Sequence, residues 1–264
     1  MKRRTIIAVA ILLLGLAVMF VAGFRLFEAN KMYREADVVY EHLRSKIRRA
    51  PEVSFQMSQA EENVIHSIEA GENEDAHIFI PDFEIDHELL KSINKDAAAW
   101  LYSPDTVIDY PVMRADDYRY YLNHLADGTV NANGSLFIDY NNSPDFSDPL
   151  TVIYGHHMKS GSMFGGLKGY KNQGYYDNHP YMYLYTEQGN YRIDLMYGFV
   201  LTANQWMEHG FMYSDNVEAL LEYAMKNTTF QSHAKFRQGS RVLALSTCSY
   251  EFDDARYVVI GVFA

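Results

Sequence analysis

The sequence predicts a mostly β fold with helices, α+β in class, built as a barrel or sandwich. Three observations predict it. From Ile78 onward the chain breaks into short β-rich runs separated by turn signals, the pattern of closed or stacked antiparallel sheets. Before Ile78, apolar residues recur at helical spacing instead. Aromatic residues make up 14% of the chain, 21 of them Tyr, which suits packing on pleated surfaces.

The N-terminus comes first. Lys2, Arg3 and Arg4 precede an uncharged run from Thr5 to Phe24, closed by Arg25. Twenty helical residues span about 30 Å, the thickness of the bilayer hydrocarbon core. A cleaved signal peptide would carry a shorter apolar region, about 7–15 residues, and an Ala-x-Ala site; the run therefore reads as an uncleaved anchor. The positive-inside rule keeps the basic tip in the cytoplasm and the rest of the chain outside.

Residues 26–49 read as an amphipathic helix, with Met32, Ala36, Val39, Leu43 and Ile47 on one face and Pro51 interrupting it. A second helix starts at Ser58, where Ser58-Gln-Ala-Glu61 forms a capping box, and a polar loop covers Gly71 to Asp75. The expected strands are Ile78–Ile80, Trp100–Tyr102, Thr106–Ile108, Ser135–Ile138, Leu150–Tyr154, Tyr181–Thr186, Tyr191–Thr202, Arg241–Thr247 and Tyr257–Phe263. Gln188-Gly189-Asn190 reads as a hairpin turn. Helices are expected at Glu88–Ile93, Asp116–His124 and Val217–Met225, the last with Val217, Leu220, Leu221 and Ala224 sharing a face. This divides the chain into an anchor (1–25), a helical stalk or packing segment (26–77) and a β-rich domain (78–264).

Composition excludes some functions. The net charge of -11 argues against a nucleic-acid partner, because phosphate binding needs clustered Lys and Arg. The single cysteine, Cys248, can form neither an intramolecular disulfide nor a multi-thiolate metal site. A lone thiol is usually a small buried hydrophobe, but an odd thiol in an exported protein is a candidate reactive group.

Its neighbours point to chemistry. Arg241-Val-Leu-Ala-Leu-Ser-Thr-Cys248 is a β run ending in a polar group, and Arg256 opens the next one. Two antiparallel strands joined by the loop 249–255 bring thiol and guanidinium together, where the cation favours thiolate and can donate to an oxyanion. Leu150-Thr-Val-Ile-Tyr-Gly-His156-His157-Met158 likewise ends a strand in histidine, a candidate acid or base for a thiol. Adjacent residues point to opposite faces of a strand and no third ligand is spaced to help, so the His pair is not read as a metal site.

Together these segments resemble the sortase family. Ala244-Leu-Ser-Thr-Cys248 is similar to the sortase Thr-Leu-x-Thr-Cys signature, with Ala244 in place of the leading Thr; Tyr154-Gly-His156 resembles the strand delivering the family's histidine, and Arg256 matches its arginine. Trp100 to Val112 resembles the early strands, and Tyr120-Tyr-Leu-Asn-His124 the helix after them. N-terminal helices, a long late helix and Gly155-His156-His157-Met158 point to class B.

The resemblance implies a sortase-like closed β-barrel. It implies a transpeptidase that cleaves an Asn-Pro-x-Thr-like sorting signal through a thioacyl intermediate on Cys248 and passes the acyl group to an amine. His156 would act as acid and base, with His157 its competitor, and Arg256 would hold the oxyanion or the peptide. Asn123, Tyr154 and Ser246 match positions bordering the peptide groove, although a structural role fits each equally well. Asp253 and Asp254 could orient His156 or simply form a solvated loop. The implied partners are surface proteins bearing a sorting signal, a peptidoglycan precursor amine or a pilin lysine, and the bilayer through residues 5–24; no cofactor is implied. An exported cysteine peptidase or hydrolase, and a tethered binding module with an inert thiol, stay open on the residues alone.

Overall fold

The structure, a computed structural model, describes residues 2–50, 83–114 and 116–264. The expected helix at Ser58, the loop at Gly71, the strand Ile78–Ile80 and the boundary at 77/78 lie outside the described residues.

Helix α1 runs unbroken from Lys2 to Ile47, about 70 Å at 1.5 Å per residue. Its two halves have opposite surroundings. The apolar side chains Ile11 to Phe27 are exposed, whereas Ala36, Tyr40, Leu43 and Ile47, at spacings of four, three and four, are buried against the domain. Of the expected face, Ala36, Leu43 and Ile47 dock, Val39 is half-buried and Met32 stays exposed. Tyr40 completes the contact by donating its hydroxyl to the Gly134 carbonyl at 2.7 Å. The chain then pairs β1 (Arg48–Arg49) with β2 (Glu84–Ile85) and enters α2 (His87–Ile93), whose Asp86 side chain accepts from the Leu89 amide as an N-cap.

Among the described residues, eight strands close into a barrel: β3 (Ala97–Tyr102), β4 (Asp109–Met113), β5 (Leu136–Ile138), β6 (Leu150–Tyr154), β7 (Tyr181–Thr186), β8 (Gly189–Thr202), β9 (Val242–Cys248) and β10 (Ala255–Phe263). The neighbour order is β10-β8-β7-β3-β4-β5-β6-β9, closed between β9 and β10, with β4–β5 and β6–β9 parallel. Closure leaves the barrel without a free sheet edge. Short helices α3 (Gln173–Asn178) and α4 (Ala203–Glu208) and the longer α5 (Val217–Asn227) lie on the connections.

Three expectations shift. Thr106–Ile108 is a turn, not a strand: Thr106 Oγ1 donates to the Ser103 carbonyl at 3.0 Å and accepts from the Ile108 amide at 3.1 Å, so local side-chain bonds outcompete β-branched propensity. Within Asp116–His124 only Tyr120–Leu122 forms a 3-10 turn, because Asp117 Oδ1 takes the Arg119 and Tyr120 amides. The β7–β8 hairpin turns at Glu187-Gln188, one residue earlier than expected, since Gly189 already pairs with Thr186.

Strand alternation builds two buried layers. Leu243, Leu245, Tyr257 and Val259 join the larger cluster, which runs through the barrel interior. Val242, Ala244, Val258 and Ile260 join a second cluster on the outer face, under Val217, Leu220 and Ala224 of α5 and Trp206 of α4.

Candidate active site

Cys248 is the last residue of β9 and Arg256 the second of β10; the two are direct partners across the antiparallel register. Directly opposed residues share a face with Cβ atoms about 4.5–5.5 Å apart, so thiol and guanidinium leave the barrel side by side. The thiol is free and exposed. β6 brings the histidine alongside: Tyr154 pairs with Ser246, and the Gly155 amide donates to the Ser246 carbonyl at 3.2 Å. Thr247, pointing to the opposite face, donates its hydroxyl to the Gly155 carbonyl at 2.8 Å and locks the two strand ends together.

Two glycines hold His156 in place. A Cβ at Gly155 would come within 2.5 Å of Leu136 Cδ2 and 2.7 Å of the Phe164 ring. Gly134 has φ +60, where side chains are disfavoured, and a Cβ there would meet the Tyr121 carbonyl at 2.5 Å and His156 Cδ2 at 3.0 Å. The imidazole Nε2 lies 2.8 Å from the Leu122 carbonyl oxygen. That oxygen can only accept, so Nε2 carries a hydrogen and Nδ1 is the atom that can take up or release a proton. His157 turns elsewhere: its Nδ1 donates to the Cys248 carbonyl at 2.8 Å and its ring lies 4.9 Å from that of Tyr250.

Cys248, His156 and Arg256 open on one cleft of about 370 Å³. Leu122, Phe137, Met207, Met212 and Trp206 give it an apolar wall, and Tyr118, Tyr154 and Ser246 add hydroxyls. A larger depression of about 530 Å³, lined by Lys91, Asp96, Arg114, Asp117 and Glu187 among others, contains neither thiol nor histidine, so the smaller one is the candidate site.

Of the expected groove residues, Tyr154 and Ser246 line the cleft and Asn123 does not; Asn123 is exposed and closes the 3-10 turn through its backbone amide. Ser246 is 1% exposed and its Oγ has no hydrogen-bond partner. Asp253 and Asp254 are exposed on the β9–β10 loop. That loop is tied down elsewhere: Lys171 donates to Ser249 Oγ at 2.9 Å and pairs with Glu251, which also accepts from Ser249. Burial raises the Glu251 carboxyl, but the hydrogen bonds from Lys171 and Ser249 outweigh it and hold the group at about 2.

Sequence reading missed Trp206, Met207 and Met212, which come from α4 and the turn after it. The signal was present: Thr202-Ala-Asn-Gln205 is a capping box in the structure and has the matching sequence pattern. Among the described residues no group of three or more His, Cys, Asp or Glu side chains could hold a metal ion.

The family model described as the sortase domain matches residues 101–264. Sortase B of Listeria monocytogenes is 33% identical over 183 residues, covering 67% of this chain and 74% of that one. The crystal structure of Clostridium perfringens sortase B aligns with a TM-score of 0.62 at 28% identity, covering 68% of this chain and all of that one (100%). A Streptococcus pyogenes class B sortase involved in pilus biogenesis aligns at 0.61, also 28% identical, covering 68% of this chain and 98% of that one. The chain therefore belongs to the sortase family, and within it to class B, whose members are cysteine transpeptidases.

Proposed function

We propose that the cleft takes the sorting signal of an exported surface protein, an Asn-Pro-x-Thr-like sequence, and that Cys248, His156 and Arg256 carry out its transfer to a cell-wall amine. The observation that carries this reading is the Cys248–Arg256 register pair opening on the same cleft as His156. The Cys248 thiolate attacks the threonine carbonyl carbon, forming a C–S bond and an oxyanion that faces the Arg256 guanidinium. Collapse breaks the peptide C–N bond as His156, through Nδ1, protonates the leaving amine. A thioacyl enzyme remains. The incoming amine gives a proton to His156, attacks the thioester and forms the new amide, and Cys248 leaves as thiolate. The Leu122 carbonyl keeps the imidazole oriented through both half-reactions. The apolar wall fits the proline-containing part of the signal, and the unpartnered Ser246 hydroxyl and Tyr154 border the same path.

Residues 5–24 act as the membrane anchor, with the N-terminus cytoplasmic and the catalytic domain outside. α1 supports this reading: among the described residues it is the one helix long and apolar enough to cross a membrane, with a mean hydropathy of 2.1 over its most apolar window, none (0%) of which is buried. Residues 26–77 then form the stalk and packing segment, and residues 78–264 the catalytic unit. The likeness to a class B sortase of pilus biogenesis favours a second acceptor, the lysine of a pilin. The test is to incubate the full chain in detergent with sorting-signal peptides and either oligoglycine, a diamine or a lysine peptide, and to read products by mass spectrometry. Amide products that vanish in Cys248→Ala are expected. Hydrolysis unaffected by any amine would replace the transpeptidase with a peptidase.

A further inference from the structure

We infer that Asp139 is a positioning residue for the acyl-donor peptide, holding the Tyr118 and Tyr154 hydroxyls, and through Tyr154 the Trp206 indole, in one chain that sets the shape of the cleft wall. The inference rests on the reading of the cleft as the donor site.

Asp139 follows β5 and is fully buried, 0% exposed. Tyr118 donates to its two oxygens at 3.0 and 2.9 Å, and Tyr154 to Oδ2 at 2.9 Å. The Asn141 amide and side-chain nitrogens donate to Oδ1, each at 2.9 Å. Trp206 Nε1 donates to the Tyr154 hydroxyl at 3.3 Å. The chain thus joins four separate segments: the loop before the 3-10 turn, the end of β5, β6 and α4. Tyr118, Tyr154 and Trp206 all line the cleft, while Asp139 stands behind them.

An ionised carboxylate is acceptor-only, so it can take both phenols at once. Burial, reinforced by the Asp139 charge, raises both tyrosines above the ordinary phenol range and keeps them protonated as donors at neutral pH. An Asn in place of Asp139 would present an amide nitrogen, which cannot accept, and one phenol would lose its partner. The Tyr118 and Tyr154 rings meet edge to face, 5.8 Å apart at 87°, so a phenol that turns away moves the wall on which the peptide lies.

The test compares the full chain in detergent with Asp139→Asn and Tyr118→Phe, measuring kcat, KM for the donor peptide, KM for the acceptor amine, and the rate at which iodoacetamide alkylates Cys248. The expected result is a donor KM raised about tenfold or more in Asp139→Asn and about three- to tenfold in Tyr118→Phe, in line with the loss of charged and single hydrogen bonds. Acceptor KM and alkylation rate stay within about twofold, and the double variant is no worse than Asp139→Asn because both break one chain. Donor KM unchanged in both variants, or alkylation slowed as much as turnover, overturns the inference. Should Asp139→Asn fail to fold, Tyr118→Phe, which deletes one hydroxyl from a partly exposed side chain, decides alone. Wild-type turnover that depends on Cys248 but ignores both substitutions sinks the Asp139 role and leaves the donor-site reading standing; absence of Cys248-dependent turnover sinks both.

Discussion

The two faces of β9 have the same strand backbone and opposite fates. On the inner face Leu243 and Leu245 are sealed in the barrel, and the one polar residue, Thr247, is satisfied by the Gly155 carbonyl. On the outer face Val242 and Ala244 are covered by α5 and its neighbours, Ser246 is still buried, and the cover stops short of Cys248. Ser246 carries a buried, unpartnered hydroxyl, and Cys248, next on the same face, is exposed. A period of two assigns the residues to faces; what makes Cys248 available is the place where the outer layer ends. The inner face is thus sealed, and the outer face opens at its far end onto the cleft.

Substitutions can break that contrast, and the largest effects belong to the open end. Cys248→Ala and His156→Ala are expected to reduce transpeptidation to background, with the fold kept, because both side chains lie on the cleft. His157→Ala should only weaken it, since that ring touches the Cys248 backbone and Tyr250 instead. Steady-state rates with a fluorogenic signal peptide check this, and the reverse order for the two histidines would place the base on the wrong residue. Arg256→Ala comes next, with kcat expected to fall about a hundredfold to a thousandfold, the usual cost of an oxyanion donor.

The inner face should respond in stability. Leu245→Ala leaves a cavity in the interior and is expected to cost about 2–5 kcal/mol, read by urea denaturation. Ser246→Ala, one residue away on the other face, deletes a buried hydroxyl that bonds to nothing in the protein. It should leave stability unchanged or slightly raised while raising KM for the donor peptide about three- to tenfold through the lost contact. Equal losses of stability at 245 and 246 would show that the two faces are not divided as described.

How much of this was legible in the sequence follows from the same physics. β6 and β7 have the bounds their apolar runs suggest, and α5 begins at the first residue of its stripe, because periodicity and burial agree there. That Cys248, His156 and Arg256 would come to one cleft was readable, since each stands where a β run meets a polar group. Thr106–Ile108 misled because β-branched residues were recruited into a turn by their own hydroxyl bonds. Asp139 was invisible: in Asp139-Tyr-Asn-Asn142 it reads as loop polarity, and only contacts with Tyr118 and Tyr154, distant in the chain, place it behind the cleft wall. The helical turns at Phe164–Lys171 and Gln173–Asn178 were missed as well, being too short to display a stripe.

The smallest expected effect lies at the junction of the two regions, in the loop that joins β9 to β10. Lys171 and Ser249, the residue after Cys248, hold Glu251 there. The Glu251 carboxyl is held at about 2, below its ordinary 4.5. A group whose folded value is depressed contributes stability above its unfolded value and loses it as pH falls through the folded one. The difference in unfolding free energy between wild type and Glu251→Gln should therefore be constant above about pH 5 and shrink between 4.5 and about 2. Its size at neutral pH stays within the range of partly exposed ion pairs, about 0.2–1 kcal/mol, and 1 M salt should reduce it. Chemical denaturation at several pH values reads both features. A difference that grows on acidification would mean that the Lys171 bond strains the loop, and the open end of β9 would then owe its shape to the strands alone.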